Sequence, residues 1–160
     1  MNYFAEFVLI CALVTVTASP SFSAAIDAND QSINGVVTNI TRCGGYGTPI
    51  QLRVSNCEGK CSLMPGQVYN IEYDFIPNAS ASGLGLACDL VLDGERYRLF
   101  DIALPNSAVL PDLMYTVKFS VTPDEILSGQ VVDLRAIIYH TDDRFLELCV
   151  ETEVDIIAVP

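Results

Sequence analysis

The 160-residue chain has no tryptophan, one histidine, and only eight lysines and arginines together against 20 aspartates and glutamates, for a formal net charge of -12. A surface this acidic repels phosphate backbones, so nucleic acid is excluded as a partner, and phosphorylated glycolipids and anionic membranes are poor electrostatic matches. No stretch carries convincing helical periodicity, and no internal repeat is present. There is no Gly-x-Ser-x-Gly elbow, and His140 is the single side chain able to serve as the base of a Ser-His-Asp site. His140 sits before the acidic turn Thr141-Asp142-Asp143 and reads as a surface histidine. Two turn carboxylates fall short of the oxygen count that calcium requires. Zinc would need four ligands, and Cys57 and Cys61 have neither a second close cysteine pair nor a second histidine to join them. Nothing selects two carboxylates as an acid/base pair. The chain is therefore read as non-enzymatic, with no cofactor and no metal.

Long apolar runs are also scarce. The one example, Phe7–Val16, is followed by small residues from Thr17 to Ala25 and is too short to span a bilayer. It reads as the core of a signal peptide cut after Ser23 or Ala25, although the preceding residues carry Glu6 and no Lys or Arg. The expected division is 1–25 signal peptide and 26–160 mature domain. The protein is then secreted (a lysosomal lumen is the other oxidising destination), with no stable membrane insertion. Removing the leader takes Cys11 and leaves Cys43, Cys57, Cys61, Cys88 and Cys149, which is two disulfides and one remaining thiol. Cys88 has Leu and Ala around it rather than Lys, Arg or His, and reads as a buried structural cysteine. In a secreted chain Asn39-Ile40-Thr41 and Asn78-Ala79-Ser80 are glycan acceptor sites.

What the chain does have is alternation. Hydrophobic residues make up 51% and charged ones 18%, enough apolar material for one folded domain. From 69 to 75, Tyr69, Ile71, Tyr73 and Phe75 face one way, and Asn70, Glu72 and Asp74 the other. Ile33–Thr41 and Ile50–Ser55 read as two earlier strands. Leu84–Leu92 puts Leu86, Cys88 and Leu90 on one face. Asp93-Gly94 then turns a hairpin into Glu95–Ile102, where Tyr97 and Leu99 lie opposite Arg98 and Phe100. Leu113–Val121 groups Tyr115, Val117 and Phe119. After a long connection, Thr122–Gly129, the strand Val131–His140 contributes Leu134 and Ile138. The last strand, Phe145–Ile157, sets Leu146, Leu148, Val150, Val154 and Ile156 against Glu147, Glu151, Glu153 and Asp155. Seven or eight strands at this spacing give an all-β antiparallel sandwich. Its inward faces either fill a core or line an apolar cavity, and alternation alone does not separate the two.

Several features in order carry a resemblance. They are Cys43, the close group Cys57, Cys61, Gly66 and Tyr69, the hairpin Leu90–Gly94, and the closing stretch Leu146-Glu-Leu-Cys149-Val-Glu. Over about residues 33–157 the chain resembles the ML lipid-recognition domain, most of all its Niemann-Pick type C-two and group-two mite-allergen branch. The resemblance implies an immunoglobulin-like β-sandwich of two antiparallel sheets with an apolar cavity between them. It also implies pairing of Cys43 with Cys149 and of Cys57 with Cys61. The cavity lining expected on that basis is Tyr69, Ile71, Tyr73 and Phe75, then Leu86, Cys88 and Leu90, then Tyr115, Val117 and Phe119, with Leu134, Ile138, Leu148 and Val150. The family's usual third disulfide is absent here, because Pro105–Asp112 contains no cysteine. Tyr97, Leu99, Leu110 and Pro111 are carried over as residues of the mouth. The expected function is that of a secreted, monomeric carrier of a sterol, fatty acid or similar small hydrophobic ligand, its polar head held by a few hydrogen bonds such as those of Tyr hydroxyls. The alternative is an immune module that binds microbial glycolipid and docks on a receptor, which the scarcity of Lys and Arg disfavours.

Overall fold

The computed structural model describes residues 15–18 and 34–159. In chain order the strands are β1 (Thr15–Ala18), β2 (Asn34–Val36), β3 (Ile40–Gly44), β4 (Thr48–Ser55), β5 (Cys61–Leu63) and β6 (Tyr69–Ile76). They continue as β7 (Leu84–Leu92), β8 (Glu95–Ala103), β9 (Tyr115–Val121), β10 (Val131–His140) and β11 (Leu146–Ile156), with one 3-10 turn, Glu125–Leu127, between β9 and β10. One sheet runs in the order β1-β9-β6-β4-β2 and the other β3-β11-β10-β7-β8. Every pairing in these two orders is antiparallel, while β5 lies parallel to β11 at its end. The result is the antiparallel sandwich that the strand pattern predicts, in the immunoglobulin-like form that the resemblance implies.

Register explains the core. β6 meets β9 with Ile71 opposite Phe119, Tyr73 opposite Val117 and Phe75 opposite Tyr115, so the two apolar faces coincide. Leu86, Ile138 and Leu148 face them from the other sheet, and each of these three is no more than 1% exposed. Burying a side chain of this size contributes about 1.5–3 kcal/mol. Cys43 bonds Cys149, joining β3 to β11 across 106 residues, and Cys57 bonds Cys61. Cys88 is buried and belongs to neither disulfide.

Within the strands and their turns the structure corrects four of the sequence expectations. The single strand predicted over Ile33–Thr41 divides into β2 and β3, which belong to different sheets. Between them the backbone N–H groups of Val37 and Thr38 donate to the carbonyls of Leu52 and Gly59, so the chain crosses the sandwich edge with its amides satisfied. In the β7–β8 hairpin Cys88 pairs with Phe100 but Asp89 with Arg98, which leaves Leu99 as the extra residue of a bulge. The bulge reverses the alternation, so Phe100 turns inward and meets Phe119 edge-on at 6.0 Å instead of lying opposite Leu99. The third and fourth corrections concern one pair, since neither His140 nor Glu147 is on the surface. They are 4% and 0% exposed, and His140 Nε2 lies 2.8 Å from Glu147 Oε1.

The cover over this pair is made by loops. Gly47 N–H donates to the Glu147 carbonyl, and Tyr46 stacks on Phe145 at 5.2 Å. Gly45 has φ +91, and a Cβ there would lie 2.4 Å from the Glu147 carbonyl oxygen, so only glycine lets the loop approach this closely. The Glu147 carboxylate also accepts the N–H groups of Asn78 and Ala79 at 2.8 and 3.2 Å. A carboxylate tolerates full burial when it is partnered in this way.

The expected leader lies outside the described residues except for Thr15–Ala18, which pairs with Tyr115–Lys118 of β9. Cleavage after Ser23 or Ala25 would release β1 and make β9 the edge of its sheet.

Candidate functional site: an apolar cavity at one end of the sandwich

The cavity forms where the two sheets stop covering each other. β9 ends at Val121, and Thr122-Pro123 follows, where proline cannot extend the ladder as a donor. The 3-10 turn comes next, capped by Asp124, whose Oδ1 accepts the Ile126 N–H at 2.9 Å. The connection is then fastened to the far sheet through Gly129 N–H to the Ile156 carbonyl at 3.0 Å and Ile156 N–H to the Gln130 carbonyl at 2.8 Å. It arches over the open end as a roof, with Pro123, Ile126 and Leu127 facing down.

Beneath the roof, Leu90, Leu92, Val132, Leu134 and Ile156 form the floor from β7, β10 and β11, while Tyr97 and Leu99 of β8 form one side. The enclosed volume is about 480 Å³, and the cavity opens to solvent. Ligand sites in proteins commonly span about 300–1,000 Å³ with mostly apolar walls. Asp93, Glu95 and Asp124 bring the carboxylates to this lining, and Arg98 supplies its guanidinium. No histidine, cysteine or serine is among the lining residues. The arrangement shelters apolar surface.

The other expected lining residues are distributed as follows. Ile71, Cys88, Phe119 and Val150, again with Leu134, surround a void of only about 40 Å³ deeper between the sheets, which shares Leu63, Val121 and Leu134 with the main cavity. Tyr69, Tyr73, Phe75, Leu86, Tyr115, Val117, Ile138 and Leu148 are packed into the core and line neither space. Leu110 and Pro111 need correcting as mouth residues. Leu110 is 57% exposed, and both belong to the segment leading into Tyr115, the end of β9 opposite the cavity. Seven strand residues, about 20 Å at strand rise, separate Tyr115 from Val121.

The tyrosine hydroxyls of the core are likewise not aimed at a ligand. Tyr69 and Tyr115 accept the backbone N–H groups of Met64 and Leu110. The Tyr73 hydroxyl is buried without a hydrogen bond, and burial pushes its pKa up. The roof was the part that sequence reading missed. Thr122–Gly129 has no periodicity, and the Asp124 cap before Glu-Ile-Leu is its one local signal. Of the two acceptor asparagines, Asn78 is exposed, whereas Asn39 donates from Nδ2 to the Glu153 carbonyl at 2.9 Å and accepts from Thr152 Oγ1 at 3.1 Å.

No family model matches the chain, and no curated protein matches it by sequence. Among solved structures, a Niemann-Pick type C2 protein from Japanese carpenter ant superposes with a TM-score of 0.63 at 15% identity, covering 73% of this chain and 98% of that one. The C-terminal domain of wzt superposes with a TM-score of 0.58 at 15% identity, covering 79% of this chain and 83% of that one. At this identity the likeness is one of fold, and the fold is ML-domain-like. That two differently named proteins share it means that function must be argued from the cavity.

Proposed function

We propose that this chain, an ML-like sandwich with an apolar cavity at one end, is a secreted, non-enzymatic carrier that binds one small lipid and releases it unchanged. The observation that carries the reading is the cavity of about 480 Å³, floored by aliphatic side chains from β7, β10 and β11 and roofed by the β9–β10 connection. Binding would draw on burial of the ligand's apolar surface, about 25 cal/mol per Å² before the costs of association. Backbone hydrogen bonds hold the roof at both ends, Gly66 N–H to the Pro123 carbonyl at 2.9 Å and Gly129 N–H to the Ile156 carbonyl at 3.0 Å. The Niemann-Pick type C2 name of a fold neighbour agrees with this reading. A glycolipid-sensing immune module is disfavoured, because the lining offers Arg98 as its single cation and that side chain is engaged by Asp89 and Asp101.

Native mass spectrometry of the protein secreted from eukaryotic cells tests the proposal, read alongside the N-terminal sequence of the same material. The expected result is a chain beginning after residue 23 or 25 that takes up cholesterol or oleate one to one. Uptake should be lost in Leu90→Trp/Leu134→Trp, which fills the floor. A chain that takes up neither lipid, or a double variant that binds them as well as the wild type, would overturn the assignment.

A further inference from the structure

Unlike the buried and partnered carboxylates of Asp89 and Glu147, the carboxylates at the cavity are exposed, and they bear on which lipid the site can hold. Asp93 and Glu95 flank the β7–β8 turn, and Asp124 begins the roof, so the lining carries acidic groups from both sides of the opening. All three residues are exposed, and among the described residues none forms an ion pair. The sole lining cation, Arg98, is committed elsewhere. Its Nε donates to the fully buried carboxylate of Asp89, and its Nη1 lies 2.7 Å from Asp101 Oδ2. The only other cation on Asp89 is the more exposed Arg96, whose Nε lies 3.7 Å away, so moving Arg98 to a ligand would take the nearer partner from a fully buried charge, and Arg98 is not available to neutralise an anionic head. The field at the opening is therefore negative, and the chain's net charge of -12 adds to it.

We propose that this site selects its lipid by charge: it accepts an apolar chain ending in an amine or a hydroxyl and rejects one ending in a carboxylate or phosphate. The inference rests on the carrier reading and narrows it away from ionised fatty acids. Three carboxylates on the lining of one cavity, in near-aqueous dielectric, shift affinity several-fold in opposite directions for the two signs of charge. The amine should therefore bind at least about tenfold more tightly than the carboxylate of equal chain length. The alcohol should fall between them.

The test is calorimetric titration of the intact secreted protein with dodecylamine, dodecanol and laurate, each below its micelle concentration, at pH 7.4 in low salt and in 0.5 M NaCl. The expected order is amine, then alcohol, then laurate, with the spread compressed by salt while dodecanol affinity stays constant. The variant Asp93→Asn/Glu95→Gln/Asp124→Asn should bring amine and laurate to within about threefold of each other and leave dodecanol unchanged. These substitutions are at exposed positions, and Asn retains the helix-capping ability of Asp124. Amine attraction spread over the whole acidic surface would survive the triple variant, and that result would overturn the inference. Laurate binding as tightly as the amine in the wild type would do the same. If none of the three ligands binds, the carrier reading itself fails and this inference falls with it. Equal binding of all three leaves the carrier and removes only the charge selection.

Discussion

Glu147→Ala is the substitution that most directly probes how this sandwich is held together outside its core. The carboxylate is 0% exposed and satisfies three donors, the N–H groups of Asn78 and Ala79 and His140 Nε2. Its removal leaves two loop amides and a buried imidazole facing a cavity. Hydrogen bonds to a charged group are each worth about 1.5–3 kcal/mol, and breaking a buried polar pair from one side costs about 3–5 kcal/mol. Water entering beneath the 44–47 and 77–79 loops recovers part of the loss, so the net expectation is a loss of about 3–5 kcal/mol. That corresponds to a fall of roughly 10–15 °C in Tm for a domain of this size. Urea unfolding monitored by far-UV circular dichroism gives the first number. Amide hydrogen exchange locates it, because protection should be lost at Asn78 and Ala79 before any strand of the core. A double-mutant cycle with His140→Ala should show coupling above about 0.5 kcal/mol, as expected for groups in contact. A loss below about 1 kcal/mol, or unchanged protection of the two amides, would mean the buried pair does not anchor these loops.

The remaining predictions concern stability at separate points of the sandwich. Tyr73→Phe should stabilise the protein by about 1 kcal/mol, since it removes a buried hydroxyl that has no hydrogen bond while keeping the ring; a lower urea midpoint would contradict this. On the outer face of the first sheet, burial pushes the Asp74 pKa up, but hydrogen bonds from Arg53 and Thr116 and the charge of Arg53 outweigh it and hold the carboxyl below its ordinary 3.8. Glu72 follows the same pattern, with burial overcome by Lys118 and Arg53, and stays below 4.5. Depressed folded-state values stabilise above the unfolded pKa and lose that contribution as pH falls through the folded value. Wild-type stability should therefore decline below about pH 4, and Glu72→Gln/Asp74→Asn should flatten that decline; parallel pH profiles would refute the assignment. Removing the Cys43–Cys149 bond as a double alanine variant should cost about 4–5 kcal/mol by chain entropy, against about 2 for Cys57–Cys61, and equal losses would show that loop length is not what matters here.

Local chemistry determined a good deal of this protein by itself. The period-two pattern of 69–75 and 115–121 sets which side chains turn inward, because backbone pleat and burial leave a strand only two faces. Asp93-Gly94 sets a hairpin because few dipeptides tolerate its backbone angles, and Asp93 and Gly94 both have positive φ. The deficit of Lys and Arg sets the sign of the surface. Other features depend on residues that meet only when the chain is folded. The bulge at Leu99 brought Phe100 inward against the alternation, as the register of β7 requires. Two loops from distant positions buried His140 and Glu147, which had every local mark of surface residues. The large aromatic residues of β6 had looked like a cavity lining, yet opposite Leu86, Ile138 and Leu148 they fill the space instead. The cavity lies where β9 ends before the opposing sheet does, beneath a connection that has no periodicity to announce it. Pattern sets which way a side chain faces; what it meets there is set by the lengths and offsets of elements packed from elsewhere in the chain.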